Sequence, residues 1–306
     1  MRIAIMGSGG VGGYFGGRLA AAGEDVHFIA RGRHLEALRA SGLRLASPKG
    51  DLHLPTVQAT ADPAAIGPVD VVLFTVKLYD VDASAEAVRP LIGPETVVIT
   101  MQNGVEAVDM VAAKVGRDHV AGGVCYISAV IDEPGVIRHT AMDTMVFGET
   151  DGRVTPRLQA FEAAGRRAGF EATVTADIDP VIWTKFVRLS GWSGMTAATR
   201  SPIGVLRDDP RIFAVLREAF EEAVAVGRAR GVALPAAILE ETLALVQTFP
   251  AGTKSSLLED LERGRRLELP WLSGAVVRLG REAGVPTPTH RFIEAVLTPH
   301  AAGAPA

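Results

Sequence analysis

The 306-residue chain has little cysteine, few aromatic residues and no excess of basic charge. Its single cysteine, Cys125, excludes an internal disulfide and any multi-cysteine metal site. A lone cysteine is more often a small buried hydrophobe than a nucleophile, so we assign Cys125 no role and expect no metal. The formal net charge of −4 argues against a nucleic-acid partner, because nucleic-acid surfaces need a concentrated basic face.

Long uninterrupted hydrophobic runs are also missing from the sequence. No stretch has the length of a membrane-spanning helix without charges or helix breakers. The apolar N-terminus lacks the basic segment and continuous apolar core of a signal peptide. We therefore expect a cytoplasmic protein with no membrane partner. The hydrophobic content of 48% is ordinary for a globular enzyme, and the length suffices for two domains.

A glycine motif near the N-terminus predicts a dinucleotide-binding fold. The apolar run Arg2–Met6 leads into a helix-compatible stretch that stops at Gly23, and Val26–Ala30 is a second apolar run. This strand, turn, helix and strand order is the context that the motif G-x-G-x-x-G requires. In that motif the glycines allow a tight turn, close approach of a pyrophosphate and close helix–strand packing. The predicted cofactor-binding residues of the motif are Gly7, Ser8, Gly9, Gly10, Val11 and Gly12.

The residues after the second run indicate which dinucleotide is bound. An NAD site usually has a carboxylate at the end of this strand, whereas an arginine accommodates the 2′-phosphate of NADP. Here Arg31 and Arg33 follow the strand, and no carboxylate occurs before Glu36. The two arginines are also compatible with solvated loop charges. We predict NADP as the cofactor, with Arg31 near its 2′-phosphate.

Strand-like and helix-like segments alternate up to Val174, which is typical of an α/β Rossmann domain with a doubly wound parallel sheet. The runs Val69–Val76 and Thr96–Thr100 are predicted strands, and short β-prone pieces occur within 134–148. Ligands in such sheets lie beyond the carboxyl ends of the strands. Lys77, Gln102 and Asn103 occupy those ends and are predicted cofactor-binding residues. Taken singly, Lys77 is also compatible with a surface lysine, and Asn103 with an ordinary Asn-Gly turn.

The second part of the chain has a different pattern. From about residue 179 it consists of long helical segments, which predicts an all-α C-terminal domain after a boundary near Ala176. We thus expect an NADP-binding domain over 1–176 and a helical substrate domain over 177–306. The predicted helices are Val181–Ala198, Pro210–Arg230, Pro235–Phe249, Lys254–Arg263, Leu267–Ala283 and Thr289–Leu297.

Two charged residues of the helical part are candidates for chemistry. Lys185 lies among apolar neighbours, with Leu189 and Ser193 on the same helical face; such a lysine either snorkels to water or serves a pocket. Glu268 lies between two leucines and is also compatible with a carboxylate at a helix start. Ser255 or Ser256 is a candidate N-cap. Spacing alone does not select Lys185 and Glu268.

Five stretches together resemble one known family, that of ketopantoate reductase (2-dehydropantoate 2-reductase). The similarity covers essentially the whole chain and keeps the order and spacing of the motifs. It implies a Rossmann domain, a helical C-terminal domain, an interdomain cleft and NADPH-dependent reduction of a 2-oxo acid to the 2-hydroxy acid. The stretches are residues 1–30, Val76-Lys77, Met101-Gln102-Asn103-Gly104-Val105-Glu106, Trp183-Thr184-Lys185-Phe186, and Ser255-Ser256 through Gly264-Arg265 to Glu268.

The resemblance also implies roles for individual residues. A cationic lysine stabilises the negative charge that hydride addition builds on a ketone oxygen, and it donates the proton. The implied roles are the catalytic lysine for Lys185, the substrate-side carboxylate for Glu268, substrate binding for Ser256, contact with the nicotinamide and its ribose for Lys77 and Asn103, and the 2′-phosphate for Arg31.

Four positions depart from the family pattern, which has asparagines there. Leu189 and Ser193 follow the lysine by one and two turns on the predicted substrate-binding face, and Ile203 and Ser273 come later. Loss of amide donors shifts substrate specificity more than cofactor use. We therefore expect a reductase of 2-dehydropantoate or of a related 2-oxo acid, and the four departures are compatible with a bulkier or more apolar substrate.

Two other functions are compatible with the sequence. One is another NADP-dependent hydroxyacid dehydrogenase of the same two-domain plan, working in the oxidative direction. The other is a non-catalytic NADP-sensing protein, against which the presence of both Lys185 and Glu268 argues. The long helices are compatible with a homodimer face or with internal core.

Overall fold

A computed structural model of the protein describes residues 1–304. In these residues the strands predicted for the N-terminal half belong to one sheet of ten strands. Its order is β4-β3-β9-β8-β7-β6-β1-β2-β5, and β10 pairs with β9. The strands are β1 (Arg2–Met6), β2 (Asp25–Ile29), β3 (Leu43–Ala46), β4 (Leu52–Leu54), β5 (Gln58–Thr60), β6 (Val69–Phe74), β7 (Ile92–Thr100), β8 (Val120–Glu133), β9 (Val136–Glu149) and β10 (Glu171–Val174).

Twelve α-helices accompany the sheet in these residues. Five belong to the strand-rich half: α1 (Gly10–Ala21), α2 (Gly32–Ser41), α3 (Val81–Ala87), α4 (Ala107–Val115) and α5 (Pro156–Arg167). Seven follow the last strand: α6 (Ile178–Thr199), α7 (Ile203–Asp208), α8 (Pro210–Ala229), α9 (Ile238–Thr248), α10 (Ser256–Glu262), α11 (Ser273–Ala283) and α12 (Pro288–Leu297).

Contacts divide the chain into two compact units. The sheet unit contains residues 1–102 and 106–178, and the helical unit contains 103–105 and the chain from Asp179 onward. This division falls two residues after the predicted boundary at Ala176. The predicted fold class, a Rossmann sheet followed by an all-α part, is confirmed.

The centre of the sheet is parallel and buried on both faces. β1 pairs in parallel with β2 and β6, and β6 pairs in parallel with β7. Five of the six residues of β6 are buried, because helices cover a parallel sheet on both sides and its central strands become continuously apolar. Ile3, Ile5, Phe15 and Phe28 belong to the core cluster of this unit.

The β-prone pieces within 134–148 form one long strand instead of short returns to the sheet. β9 runs antiparallel to β8, and Gly135 turns the chain between them with a φ of 81°. The strand was hidden because its register shifts near Ser128 and because Met142 adopts a φ of 56°. Both features break the two-residue alternation by which a strand is recognised. β3 and β4 form a short antiparallel hairpin.

The helical unit contains two hydrophobic clusters, and its helices follow the predicted order with two exceptions. The predicted helix Leu267–Ala283 is wrong in its first part: a 3-10 turn occupies Leu269–Trp271, and α11 begins only at Ser273. Pro270 explains the difference, because the residue before a proline avoids the α conformation. The short helix α7 was not predicted.

Two absences apply to residues 1–304. None of their helices combines the length and apolar character needed to cross a membrane. They also contain no cluster of three or more His, Cys, Asp or Glu side chains that could hold a metal ion. Cys125 is buried, as expected for a small hydrophobe.

Candidate functional site

The glycine loop between β1 and α1 is built around three glycines with different constraints. Gly7 has a φ of 98°, and a Cβ there would lie 2.8 Å from the backbone nitrogen of Val76. A Cβ on Gly12 would overlap the carbonyl oxygen of Gly7 and lie 2.5 Å from Oγ1 of Thr75. A Cβ on Gly9, by contrast, would meet no described atom within 4 Å. The loop is therefore tight on its protein side and open over Gly9.

The start of α1 offers backbone donors at this opening. Gly9 is the N-cap, it supplies no side-chain cap, and the first turn contains no acidic residue. The first N–H groups of a helix lack intrahelical partners, and they lie at the positive end of its dipole. Such a helix start binds phosphate groups. The space that a Cβ on Gly9 would fill fits the close approach of a pyrophosphate.

Ser8 faces inward rather than toward the opening. Its hydroxyl and its backbone N–H both donate to the carbonyl oxygen of Ile29, at 3.1 and 3.2 Å. Ser8 is buried, so its side chain attaches the glycine loop to the end of β2. Its predicted part in cofactor binding stays a prediction, and the structure gives its hydroxyl a positioning role.

Arg31 lies just after β2, at the start of α2. It is exposed and is the N-cap of α2. The first turn of α2 contains no acidic residue, and Arg33 is exposed in that turn. Two solvent-facing guanidinium groups at the N-terminal end of a helix favour a phosphate over a ribose hydroxyl.

Two residues connect the strand ends around the glycine loop: Thr75 joins the end of β6 to the loop, and Gln102 joins the end of β7 to the end of β6. Oγ1 of Thr75 donates to the carbonyl oxygen of Gly7 at 2.7 Å. Nε2 of Gln102 donates to the carbonyl oxygens of Phe74 and Val76, at 2.9 and 3.1 Å. Gln102 is buried, and its Oε1 has no hydrogen-bond partner in residues 1–304. These bonds hold the strand end that leads into Lys77, which is half-buried.

Thr75 was missed by sequence reasoning. It is an ordinary β-branched residue at a strand end, and no pattern in the sequence distinguishes it. Its role comes from the tertiary approach of β6 to the glycine loop. Gln102 was predicted as a cofactor-binding residue, and the structure shows its amide bonded to the backbone of the neighbouring strand end.

In the helical unit, Lys185 lies within α6 and is half-buried. Its neighbours Trp183 and Phe186 are buried, with their rings edge to face at 5.4 Å. Leu189, one turn later, is half-buried. Ser193 is fully buried, and its hydroxyl donates to the carbonyl oxygen of Leu189 at 2.5 Å. The hydroxyl hydrogen of Ser193 is thus used in a bond to the backbone. The predicted role of Ser193 in substrate binding stays a prediction.

The two serines before α10 are placed differently. Ser255 is fully buried and is the N-cap, because its Oγ accepts from the backbone nitrogen of Leu258 at 3.1 Å. Its Oγ also lies 2.7 Å from Oγ1 of Thr196 in α6. Ser256, the predicted substrate-binding serine, is exposed. The buried Ser255 thus fixes the position from which Ser256 faces solvent.

Glu268 is only 5% exposed, although it carries a carboxylate. It precedes the 3-10 turn and lies five positions before the start of α11. A buried carboxylate is costly unless it is paired or hydrogen-bonded. Glu268 is therefore not a solvated helix-start charge, and its predicted catalytic role stays a prediction.

The remaining two departures from the asparagine pattern are core positions. Ile203 is fully buried in a hydrophobic cluster of the helical unit. Ser273 is also fully buried, and its Oγ has no hydrogen-bond partner in residues 1–304. A polar amide at Ile203 would enter an apolar environment, so the surrounding packing matches isoleucine.

Comparison with known proteins identifies the family. The ketopantoate reductase PanE/ApbA family matches residues 3–152, and the C-terminal part of the same family matches residues 177–301. The 2-dehydropantoate 2-reductase of Mesorhizobium japonicum is 34% identical, over 97% of this chain and 96% of that protein.

Solved structures show the same similarity. A PanE/ApbA family ketopantoate reductase from Ralstonia eutropha superimposes with a TM-score of 0.91 at 34% identity, covering 98% of each chain. A D-mandelate dehydrogenase in complex with NADH superimposes with a TM-score of 0.86 at 19% identity, covering 97% of this chain and 98% of that one, which shows the fold alone. The chain therefore belongs to the ketopantoate reductase family PanE/ApbA and is an oxidoreductase.

Proposed function

We propose that this protein reduces a 2-oxo acid to the 2-hydroxy acid with NADPH, and that Lys185 is the general acid. The observation that carries the proposal is the half-buried lysine on α6, in a chain whose relatives are 2-dehydropantoate 2-reductases. A ketone gains negative charge on oxygen as hydride adds to carbon. An ammonium group held near that oxygen stabilises the charge and supplies the proton.

The glycine loop is proposed to hold the cofactor. The open space over Gly9 and the uncapped start of α1 fit a pyrophosphate, and the exposed guanidinium of Arg31 fits a 2′-phosphate. A reduced nicotinamide, when bound, supplies the hydride. NADH, the cofactor of the D-mandelate dehydrogenase complex, is the alternative dinucleotide. The contribution of this chain is to align that ring and to protonate the product oxygen.

The other predicted residues have supporting roles in this proposal. Glu268, a buried carboxylate, orients the lysine ammonium or a hydroxyl of the substrate. The exposed hydroxyl of Ser256 binds the substrate, and Leu189 contacts it from the same helical face as Lys185. Lys77 and Asn103 contact the nicotinamide and its ribose. A cytoplasmic location and a homodimer also remain proposals.

A cofactor-consumption assay tests this function. Purified protein is incubated with NADPH and, one at a time, with a panel of 2-oxo acids that includes 2-dehydropantoate, and both absorbance loss and the 2-hydroxy acid product are measured. We expect stoichiometric product with at least one acid. Tight NADPH binding without oxidation by any acid would contradict the proposal and would support the NADP-sensing alternative. Faster conversion from 2-hydroxy acid and NADP at physiological concentrations would support the oxidative dehydrogenase.

A further inference from the structure

Two aromatic rings pack together in the helical unit without being fully buried. Trp192 of α6 and Phe249, which follows α9, have ring centroids 5.1 Å apart at an interplanar angle of 42°. Both residues are half-buried, and both pack against the same hydrophobic cluster. Both residues therefore contact the protein core and keep part of their surface accessible.

Trp192 lies on the same face of α6 as Lys185. The two are seven residues apart, or about two helical turns and roughly 10 Å along the axis. Leu189 lies between them on this face, and Thr196 continues it. Since Oγ1 of Thr196 lies 2.7 Å from Oγ of Ser255, the face ends beside the residue that precedes Ser256. Trp192 is thus located between the proposed general acid and the proposed substrate-binding serine.

Phe249 is held in place by its backbone. Nη1 of Arg207 donates to the carbonyl oxygen of Phe249 at 2.8 Å. Farther along the same connection, the backbone nitrogens of Ile203 and Gly204 donate to the carbonyl oxygens of Thr253 and Ala251, at 3.0 and 2.9 Å. The helix α7 thereby fixes the connection between α9 and α10 at three points. A ring on such a connection keeps a defined position against Trp192.

Folding alone does not account for a tryptophan at position 192. Its Nε1 is buried and has no hydrogen-bond partner in residues 1–304. A buried donor without a partner costs about 1–3 kcal/mol, so phenylalanine or leucine would suit the core better. What tryptophan offers in return for this cost is a large ring surface. That surface points to contact with a ligand.

We propose that Trp192 and Phe249 form an aromatic wall that selects 2-oxo acids with a large apolar side chain, branched or aromatic. This inference rests on the proposed function and names its substrate class. On the face of α6 that carries Lys185, the wall and Leu189 present carbon surface, and the hydroxyl of Ser193 is occupied by the backbone. A substrate hydroxyl would find few donors there, whereas an apolar substituent would exchange water for ring contacts.

Substrate selectivity of the wild-type enzyme and two variants tests the aromatic wall. kcat/KM is measured with NADPH and with three acids: pyruvate, 2-dehydropantoate, and either 4-methyl-2-oxopentanoate or phenylpyruvate as the large apolar acid. We expect wild type to prefer the large apolar acid to 2-dehydropantoate by tenfold or more. Trp192→Ala and Phe249→Ala should each lower kcat/KM for that acid about tenfold or more and leave the value for pyruvate within about threefold.

Two controls separate selectivity from folding. Phe292→Ala removes an aromatic ring of the same unit that is 66% exposed, and it should leave all three values unchanged. Trp192→Phe keeps a ring but loses the unpaired N–H, so we expect the apolar preference to persist with an equal or higher melting temperature. If Trp192→Ala fails to fold, Phe249→Ala and the wild-type preference provide the test.

The outcomes distinguish this inference from the proposed function. A wild-type preference for 2-dehydropantoate over the large apolar acid, unchanged in both alanine variants, would overturn the aromatic wall and leave the reductase intact. Uniform losses for all acids, pyruvate included, would also overturn it, because they would show a merely structural role. Absence of reduction with every acid would overturn the proposed function itself.

Discussion

The sheet unit and the helical unit carry their functional residues in different ways. In the sheet unit, backbone geometry forms the proposed cofactor site: Gly7 needs a positive φ, Gly12 leaves no room for a Cβ, and α1 begins without a side-chain cap. In the helical unit, the proposed site consists of side chains, those of Lys185, Ser256 and Glu268, on helices or on connections between them. Backbone requirements restrict the residue type strongly, so the sheet unit can be interpreted from sequence, whereas the helical unit needs a structure or a family.

The largest effect that we expect on stability and NADPH binding comes from adding a methyl group to the glycine loop. It tests whether backbone geometry forms the site of the sheet unit. In Gly12→Ala, the added Cβ would overlap the Gly7 carbonyl oxygen and crowd Thr75. Overpacking of this kind costs about 1–3 kcal/mol, occasionally more, so we expect a clear loss of melting temperature together with loss of NADPH binding.

Gly9→Ala is the matched control for this change, since its Cβ would meet no described atom within 4 Å. We expect an unchanged melting temperature and a weakened affinity for NADPH, measured by fluorescence titration. Equal destabilisation by the two substitutions would show that the opening over Gly9 is not free space. Unchanged NADPH affinity in Gly9→Ala would place the pyrophosphate elsewhere.

Each unit also contains a histidine whose pKa is lowered by burial, and acid should affect the helical unit more. His290 is fully buried, donates from Nε2 to the carbonyl oxygen of Ala219 at 2.9 Å, and has its pKa lowered by burial to about 4. His34 is half-buried, and burial lowers the pKa of its imidazole as well; its Nδ1 accepts from the backbone nitrogen of Gly135.

The unfolded chain binds a proton at each histidine near pH 6.5, before the folded chain does, so stability is present above that pH and is lost as the pH falls. For His290 the loss runs from about pH 6.5 to about 4 and reaches on the order of 3 kcal/mol. Urea midpoints at pH 7.5 and 5 should therefore differ less in His290→Gln than in wild type. Identical pH dependence in both proteins would show that folding does not lower the pKa of His290.

A smaller effect is expected at the cofactor phosphate. Arg31→Ala should weaken NADPH binding about 10- to 100-fold, because a charge-assisted contact with the 2′-phosphate contributes about 1.5–3 kcal/mol. NADH binding should change by less than threefold. Arg39→Ala is a suitable control. Arg39 lies in the last turn of α2, and its guanidinium donates to the carbonyl oxygen of Ala59 in β5. Equal losses for the two dinucleotides would remove Arg31 from cofactor choice.

Much of the sheet unit was predictable for physical reasons. The apolar run of β6 and the glycines after β1 reflect burial and backbone constraints, which are local in sequence. β9 was predicted only in pieces, because Met142 adopts a positive φ and interrupts the alternation. The role of Thr75 was not predictable, since its bond to the Gly7 carbonyl oxygen joins two distant segments.

In the helical unit, the helices were predictable and their functional faces were not. Pro270 delayed the start of one predicted helix to Ser273, because proline restricts the residue before it. Lys185 and Glu268 were selected by resemblance to a family, since periodicity cannot separate a catalytic lysine from one that snorkels. The pairing of Trp192 with Phe249 depends on a connection held by α7, a helix that the sequence did not predict.

The most direct test of the account is the turnover of Lys185→Ala with NADPH and the best 2-oxo acid. Loss of a general acid lowers kcat by about 10²–10⁴, whereas NADPH affinity should stay within about threefold, because the glycine loop belongs to the other unit. Lys114→Ala, which removes a lysine paired with Asp82 in the sheet unit, should leave kcat unchanged. Wild-type kcat in Lys185→Ala would contradict the account.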